Sequence, residues 1–260
     1  MGRSVTDLPT PWDASPYLLM AHGRSTVVGC WADSGSVVVA LEGGRGVGLV
    51  GLGPADGVAR HLGVAVAALS AQPGGWARVA WVTVPRETWH LLDAGAQAVL
   101  ARWPAPSAWD CMWTYRPLVD AGDHEVERLV PGLTDVQEEV AATLARAHPT
   151  ASTSPDDPRL VGWWGVRVAG RLAAVVGALR YAPGLAPHLV SLGVDPDHRG
   201  RGLAGAVLAA AVRDGLAAGT EVGPAAVWLG LYASNDVARR VYLRHGFELG
   251  HRFESRDAPG

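Results

Sequence analysis

The sequence predicts an α/β protein, a mixed sheet with helices on both faces. Three observations predict it. A β-type run over residues 188–194 stops at Pro196, and a small-residue loop and a long alanine-rich helix follow. Along that helix Leu203, Ala206, Val207, Ala210 and Ala211 recur at i, i+3, i+4, i+7 and i+8, so one apolar face can pack on a sheet. The order β-α-β-α-β is also legible twice, over 188–254 and over 37–115.

In chain order, apolar runs predict strands near 37–42 and 46–52, a helical stretch at 57–71, a strand at 78–84, a helix at 87–102 and a strand at 108–115. Two polar amphipathic segments follow, 123–131 and 134–147, with Glu125, Glu127, Glu138 and Glu139 on a solvated helix face. After a Pro/Ser/Thr loop at 149–158, residues 161–168 and 172–181 form a hairpin that turns at Ala169, Gly170 and Arg171. The strand at 188–194, a helix at 202–217, a strand at 225–231, a helix at 235–245 and a strand at 247–254 complete the chain. The repetition predicts two domains, 1–117 and 118–260. In 260 residues each can bury a core.

Net charge is −3, divided as −1 over residues 1–120 and −2 beyond. Neither half carries the basic face that nucleic-acid binding requires. Cys30 and Cys111 stand alone, without the clustered ligands of a zinc site or the pairs of a disulfide framework, so no metal is expected and the thiols are read as reduced. The apolar run at 17–21 is too short for a signal core and the one near 203–212 is a helix face. The expectation is a soluble, cytoplasmic protein with no membrane partner. The absence of Lys and Ile fits a codon bias toward G and C and a bacterial source.

The junction at 192–204 carries the chemistry. A strand that ends at a tight loop and opens a helix aims several backbone N–H groups and a positive dipole end at one spot, which suits a pyrophosphate. Arg199 and Arg201 add charge, and Gly200 and Gly202 remove the Cβ atoms that would hold a phosphate off. A P-loop is excluded, since the chain has no lysine. Gly46, Gly48 and Gly51 match a dinucleotide fingerprint, but no helix starts within it, and it reads as glycine-tolerant strand. A second motif runs from Asn235 through Ala238 and Tyr242 to Gly246 and Phe247. Asn235 suits a helix N-cap and Gly246 a C-cap. Asn235 is the only asparagine in the chain, which argues for a specific role.

Together the two motifs resemble the coenzyme site of the GNAT (general amine N-acetyltransferase) superfamily: Arg199, Gly202 and Ala204 match Arg/Gln-x-x-Gly-x-Gly/Ala, and Asn235, Ala238, Tyr242, Gly246 and Phe247 match its second half. The resemblance implies a mixed-sheet acyl-CoA N-acyltransferase fold, here as two tandem GNAT-like domains. The first is a degenerate copy, with Gly53, Pro54, Ala55, Asp56 and Gly57 in place of the phosphate loop. It implies acetyl-CoA as co-substrate, its pantetheine along the backbone of Leu192, Gly193 and Val194, and its pyrophosphate on the amides of Arg199, Gly200, Arg201, Gly202, Leu203 and Ala204. Asn235 contacts the pantetheine or fixes the helix that carries Tyr242. Tyr242 is the implied general acid. A glutamate base, common on or beside the strand in relatives, is missing, and His188 is the candidate base. Trp163 or Trp164 could line an acceptor pocket, and Asp156 and Asp157 could attract an ammonium group. The expected reaction is acetyl transfer to a small-molecule amine in a ternary complex, by a monomer or a homodimer. A protein or peptide acetyltransferase and a non-catalytic acyl-CoA-binding scaffold are the alternatives. GNAT domains usually close with two strands after the Gly-Phe element. The expectation here is a shortened final strand, or one supplied by the first half.

Overall fold

The computed structural model describes residues 2–43, 46–118, 124–151 and 153–259. The chain divides into two compact units, one of Met1–Cys111, Leu231–Ser234 and Gly250–Gly260, the other of Met112–Gly230 and Asn235–Leu249. The division falls six residues before the expected boundary, and the C-terminal segment belongs to the first unit.

In the first unit, α1 (Pro16–His22) precedes β1 (Thr26–Ala32), β2 (Val37–Gly43) and β3 (Gly46–Leu52). The sequence reading missed α1 and β1. Ser15 and Pro16 were a legible start signal, since the Ser15 hydroxyl caps the Leu18 amide and proline suits the first helical position. The apolar runs of β2 and β3 are buried almost throughout, and the two strands pair antiparallel from Val37↔Leu52 to Gly43↔Gly46. Residues 44 and 45 lie outside the described residues. Helix α2 (Ala55–Ser70) then carries the chain to β4 (Val79–Pro85), parallel to β3. Its Val58, Leu62, Ala65, Val66 and Leu69 recur at helical spacing and bury against Leu49, Val82 and Val84.

The glycines of the fingerprint lie within β3, and two serve packing: a Cβ on Gly48 would fall inside the Trp81 ring and one on Gly51 would strike Val58. The helix expected at 87–102 is broken. Glu87 adopts φ 74° ahead of a short 3-10 turn, Thr88–Leu91, and Asp93 caps the Ala96 amide at 2.8 Å to start α3 (Ala94–Leu100). Capping by an aspartate won over continued helix. β5 (Ser107–Thr114) follows, and the strand order of this unit is β1-β2-β3-β4, the C-terminal strand β11 (Glu248–Asp257), then β5. β11 is not shortened. From residue 250 it runs in the first unit, antiparallel to β4, with Phe253 opposite Pro85 and Asp257 opposite Trp81.

In the second unit, β6 (Glu127–Leu129) is a strand where a helical segment was expected at 123–131. Alternation explains it: Leu129 is buried while Arg128 lies outward, its guanidinium 5.7 Å from the Trp164 ring. Residues 119–123 lie outside the described residues. Helix α4 (Thr134–Ala147) has the expected bounds. β7 (Leu160–Val168) and β8 (Arg171–Leu179) form the expected hairpin, and Ala169 at φ 50° and Gly170 at φ 81° supply its two-residue turn. β9 (His188–Val194), α5 (Leu203–Ala217), β10 (Val227–Tyr232) and α6 (Asp236–Arg244) follow in the expected order. The strand order is β10-β9-β8-β7-β6, with β10 parallel to β9 across the α5 connection.

Trp163 and Trp164 point to opposite faces of β7, as neighbours on a strand must. Trp163 joins Val140 and Leu144 of α4 in the core on one face, and on the other Trp164 donates its indole N–H to Asp214 of α5 at 2.8 Å. Both are buried, so neither is free to line an acceptor pocket. Among the described residues no helix is long and apolar enough to cross a membrane.

Candidate active site

The site begins with a defect in β9. Its pairing with β8 runs Ala174↔Val194 and Val175↔Gly193, then shifts to Gly177↔Val190, so Ser191 and Leu192 oppose Val176 alone. Ser191 adopts φ 54°, a left-handed conformation rare outside glycine. The bulge bends the strand as it leaves its other neighbour: β10 pairs with β9 only at Trp228↔His188 and Leu229↔Leu189. Beyond Leu189 the β10-side edge of β9 carries backbone groups without strand partners, the arrangement an extended ligand can complete.

The loop after β9 is built from its own side chains. Asp195 accepts the Asp197 amide at 3.2 Å and the Arg146 Nε–H at 2.9 Å, and these bonds hold its carboxyl below the ordinary carboxylate range. Pro196–His198 form one 3-10 turn. The Arg199 guanidinium donates to the Val194 carbonyl and to the Ala147 carbonyl at the end of α4, each at 3.3 Å, and so pins the loop to strand and helix. His124 donates its Nε2–H to the Arg201 carbonyl at 2.8 Å. Gly200 and Gly202 have φ 76° and 81°, conformations that glycine adopts without strain. A Cβ on Gly200 would meet no protein atom within 4 Å, so the space before the loop is open. Gly202 is the N-cap of α5 and supplies no capping side chain. The first-turn amides of α5 and its dipole therefore face that space without a side-chain cap.

Asn235 caps α6 as expected, its Oδ1 accepting the Ala238 amide at 3.0 Å. Tyr242 is the buried residue of that amphipathic helix and packs edge-on against Phe247, with ring centroids 5.5 Å apart. Burial alone pushes its phenol well above the usual range, so it stays protonated at any physiological pH.

His188 lies at the paired end of β9, against Trp228 at 4.1 Å and Tyr181 at 5.3 Å between ring centroids. Both ring nitrogens are enclosed without a hydrogen-bond partner among the described residues. Burial, with a smaller contribution from the Arg159 charge, lowers its pKa to about 3. It is neutral at pH 7 and a weak proton acceptor. The Ser191 hydroxyl is likewise enclosed and unpartnered. The two aspartates expected to draw an ammonium are engaged: Arg159 donates to both oxygens of Asp157, and Ser154 donates to Asp156. Cys111 is buried and its thiol is pushed up well beyond its ordinary range, and Cys30 is raised by burial too, so neither is an activated nucleophile. Among the described residues no group of three or more His, Cys, Asp or Glu is placed to hold a metal ion.

Sequence reasoning missed His124 and Arg146, which buttress the loop from 77 and 49 residues away. Nothing local marks either residue.

Residues 132–247 match the model of the Acetyltransferase (GNAT) family. Three solved structures share the fold. A GNAT-family protein from Novosphingobium aromaticivorans is 21% identical, with a TM-score of 0.51 over 89% of this chain and 92% of its own. An acetyltransferase of the GNAT family from Colwellia psychrerythraea is 13% identical, with a TM-score of 0.52 over 85% and 81%. A GCN5-related N-acetyltransferase from Sphaerobacter thermophilus is 19% identical, with a TM-score of 0.50 over 88% and 78%. No curated protein matches the sequence.

Proposed function

We propose, from the match of residues 132–247 to the Acetyltransferase (GNAT) family, that the protein is an acyl-CoA-dependent N-acetyltransferase and that it moves an acetyl group from acetyl-CoA to the primary amine of a small molecule. The observation that carries the coenzyme assignment is the α5 N-terminus without a side-chain cap, entered through Gly200 and Gly202 at positive φ directly after a bulged, splayed strand. Amides of residues 199–204 hold the pyrophosphate, and the free edge of Leu192, Gly193 and Val194 pairs with the pantetheine. A backbone N–H on that edge polarises the thioester carbonyl, a contribution of about 3–4 kcal/mol for a well-aimed donor. The neutral amine attacks the carbonyl carbon directly. As the carbon–sulfur bond breaks, the Tyr242 hydroxyl gives its proton to the departing sulfur, and the proton shed by the attacking nitrogen returns through water to the Tyr242 phenolate, so that a neutral amide and the coenzyme thiol leave.

His188 takes a revised part. A pKa of about 3 makes it a poor store for a proton drawn from an ammonium. In this reading the amine arrives neutral, and His188 packs against Trp228 at the root of the strand edge without touching the amine. Asn235 acts as the cap that fixes the helix of Tyr242.

The first unit we read as a degenerate copy that binds no coenzyme. Its β3-α2-β4 connection repeats β9-α5-β10, but the entrance is filled: a Cβ on Gly53 would strike the Gly35 carbonyl, and one on Gly57 would strike the Ser36 hydroxyl. Calorimetric titration with acetyl-CoA should give one site per chain and a Kd in the micromolar range, about −8 kcal/mol. Thiol release should then follow on addition of a small amine. Absence of binding overturns the coenzyme site. Binding without turnover on any small amine, but with turnover on a peptide N-terminus or lysine, overturns the small-molecule acceptor.

A further inference from the structure

Helices α4 and α6, both of the second unit, turn faces to solvent that complement each other in charge and in relief. Tyr242 is the buried residue of α6, and on the opposite side Val237, Arg240, Leu243 and Arg244 are exposed, Val237 to 67%. On α4, Val140, Thr143 and Leu144 are buried, while Asp135, Glu138, Ala142 and Ala145 are exposed, and Leu133 just before the helix is 52% exposed. Other charges of the two helices are used within the chain: Arg239 pairs with Asp236, Glu139 with Arg167, and Arg146 with Asp195. Arg240, Arg244, Asp135 and Glu138 make no ion pair among the described residues. One helix therefore offers two unpaired cations on an apolar ridge, and the other two unpaired carboxylates beside a low, alanine-lined face.

We propose that a second copy of this chain docks here, the α6 ridge of one copy lying antiparallel along the exposed face of α4 of the next. The spacings agree: Val237 to Arg244 and Asp135 to Ala142 each span seven residues, about 10 Å of helix. In the antiparallel register Arg244 and Arg240 meet Asp135 and Glu138, Val237 covers Ala142, and Leu243 meets Leu133. The alanines keep the α4 surface low, so the arginine stems and Val237 can lie close along it. A ridge of two arginines repels another copy of itself, and the carboxylates repel theirs, so each patch selects the other. The contact is heterologous and joins copies head to tail. Two short helix faces bury little area, which puts it at the weak end of protein interfaces. The inference is independent of the coenzyme site proposed above.

The test is sedimentation velocity of the full chain from about 10 μM to about 1 mM. The native chain should pass from 27.2 kDa toward larger mass over that range. Raising salt from about 0.05 M to about 0.5 M should weaken the association about tenfold, because exposed charges are screened. The variant Arg240→Glu with Arg244→Glu, and the variant Asp135→Arg with Glu138→Arg, should each stay at the mass of one chain, since each presents like charges to its own copies. All four side chains are exposed, so both variants should stay folded in a thermal melt. Mixed in equal amounts, the two should associate again, the reversed ridge of one meeting the reversed face of the other. A native chain that keeps the mass of one chain throughout overturns the proposal. Association that survives either reversal overturns it as well, and so does loss in both folded variants without recovery on mixing.

Discussion

Gly200→Ala separates a glycine kept for a ligand from one kept for the fold. Its new methyl would meet no protein atom within 4 Å, so the substitution creates no clash. The remaining cost is conformational: an alanine at φ 76° is disfavoured by about 1–2 kcal/mol, and a loop exposed to solvent relaxes part of that. A loss of 1 kcal/mol lowers the melting temperature of a chain this size by about 2–4 °C. Coenzyme binding has no such relief. In the proposed site the methyl would stand before the loop amides and displace the phosphate from at least one charge-assisted hydrogen bond, worth about 1.5–3 kcal/mol. The dissociation constant for acetyl-CoA should therefore rise about tenfold to a hundredfold. The assay is calorimetric titration beside a thermal melt, with Gly48→Ala as the opposite case. There the methyl falls inside the Trp81 ring in the first unit, so stability should drop sharply while acetyl-CoA affinity of the folded fraction holds. Unchanged affinity in Gly200→Ala, with the small expected shift in melting temperature, refutes the loop as the pyrophosphate site.

Tyr242→Phe should lower kcat about a hundredfold with little change in KM for acetyl-CoA, because it removes only the proton donor; an unchanged kcat in steady-state thiol release removes Tyr242 from the chemistry. Asn235→Ala should cost about 1 kcal/mol in a denaturant melt, while Asn235→Asp, which keeps a capping oxygen, should stay within a few tenths of native; equal losses for both contradict the capping role. His22 and His188 are held neutral, with pKa lowered to about 4 and about 3 by burial, against about 6.5 in the unfolded chain. Their depressed values mean that stability present above pH 6.5 is lost as pH falls toward the folded values. By pH 5 each costs up to about 2 kcal/mol, and His188→Phe should flatten part of the decline in melting temperature between pH 7 and pH 5. A decline identical to native would show that His188 titrates normally.

What the sequence disclosed depended on how far each feature reaches along the chain. The boundaries of β9 and α4 were legible because each is written in its own residues, by an apolar run before a proline and by an amphipathic period. The Ala169–Gly170 turn and the Asn235 cap are also local, decided within four residues. The chain disclosed less where a local pattern was compatible with two outcomes. Residues 87–102 have enough alanine and leucine for one helix, but Glu87 at φ 74° and the Asp93 carboxylate, bonded to the Ala96 amide, divide it into a 3-10 turn and a short helix. The alternation at 127–129 is too short to distinguish from a helix face until β7 lies beside it. Contacts that reach across the chain left no trace at all. His124 bonds the Arg201 carbonyl from 77 residues away and Arg146 the Asp195 carboxylate from 49, and nothing beside either residue in the chain marks the contact.

The glycines carry this argument to the site itself. In the sequence, the Gly46, Gly48 and Gly51 set and the Gly200 and Gly202 pair are both glycine-rich stretches beside a strand. The structure separates them by what stands where a side chain would be. Gly48 and Gly51 are filled by Trp81 and Val58, so packing on the sheet face leaves room only for glycine there. Gly53 and Gly57, at the helix entrance of the first unit, are closed by the backbone and hydroxyl of residues 35 and 36. Gly200 faces open space at a positive φ, beside a helix end without a side-chain cap. Glycine there has no neighbour to accommodate, and an anion bound to the loop amides would give it one.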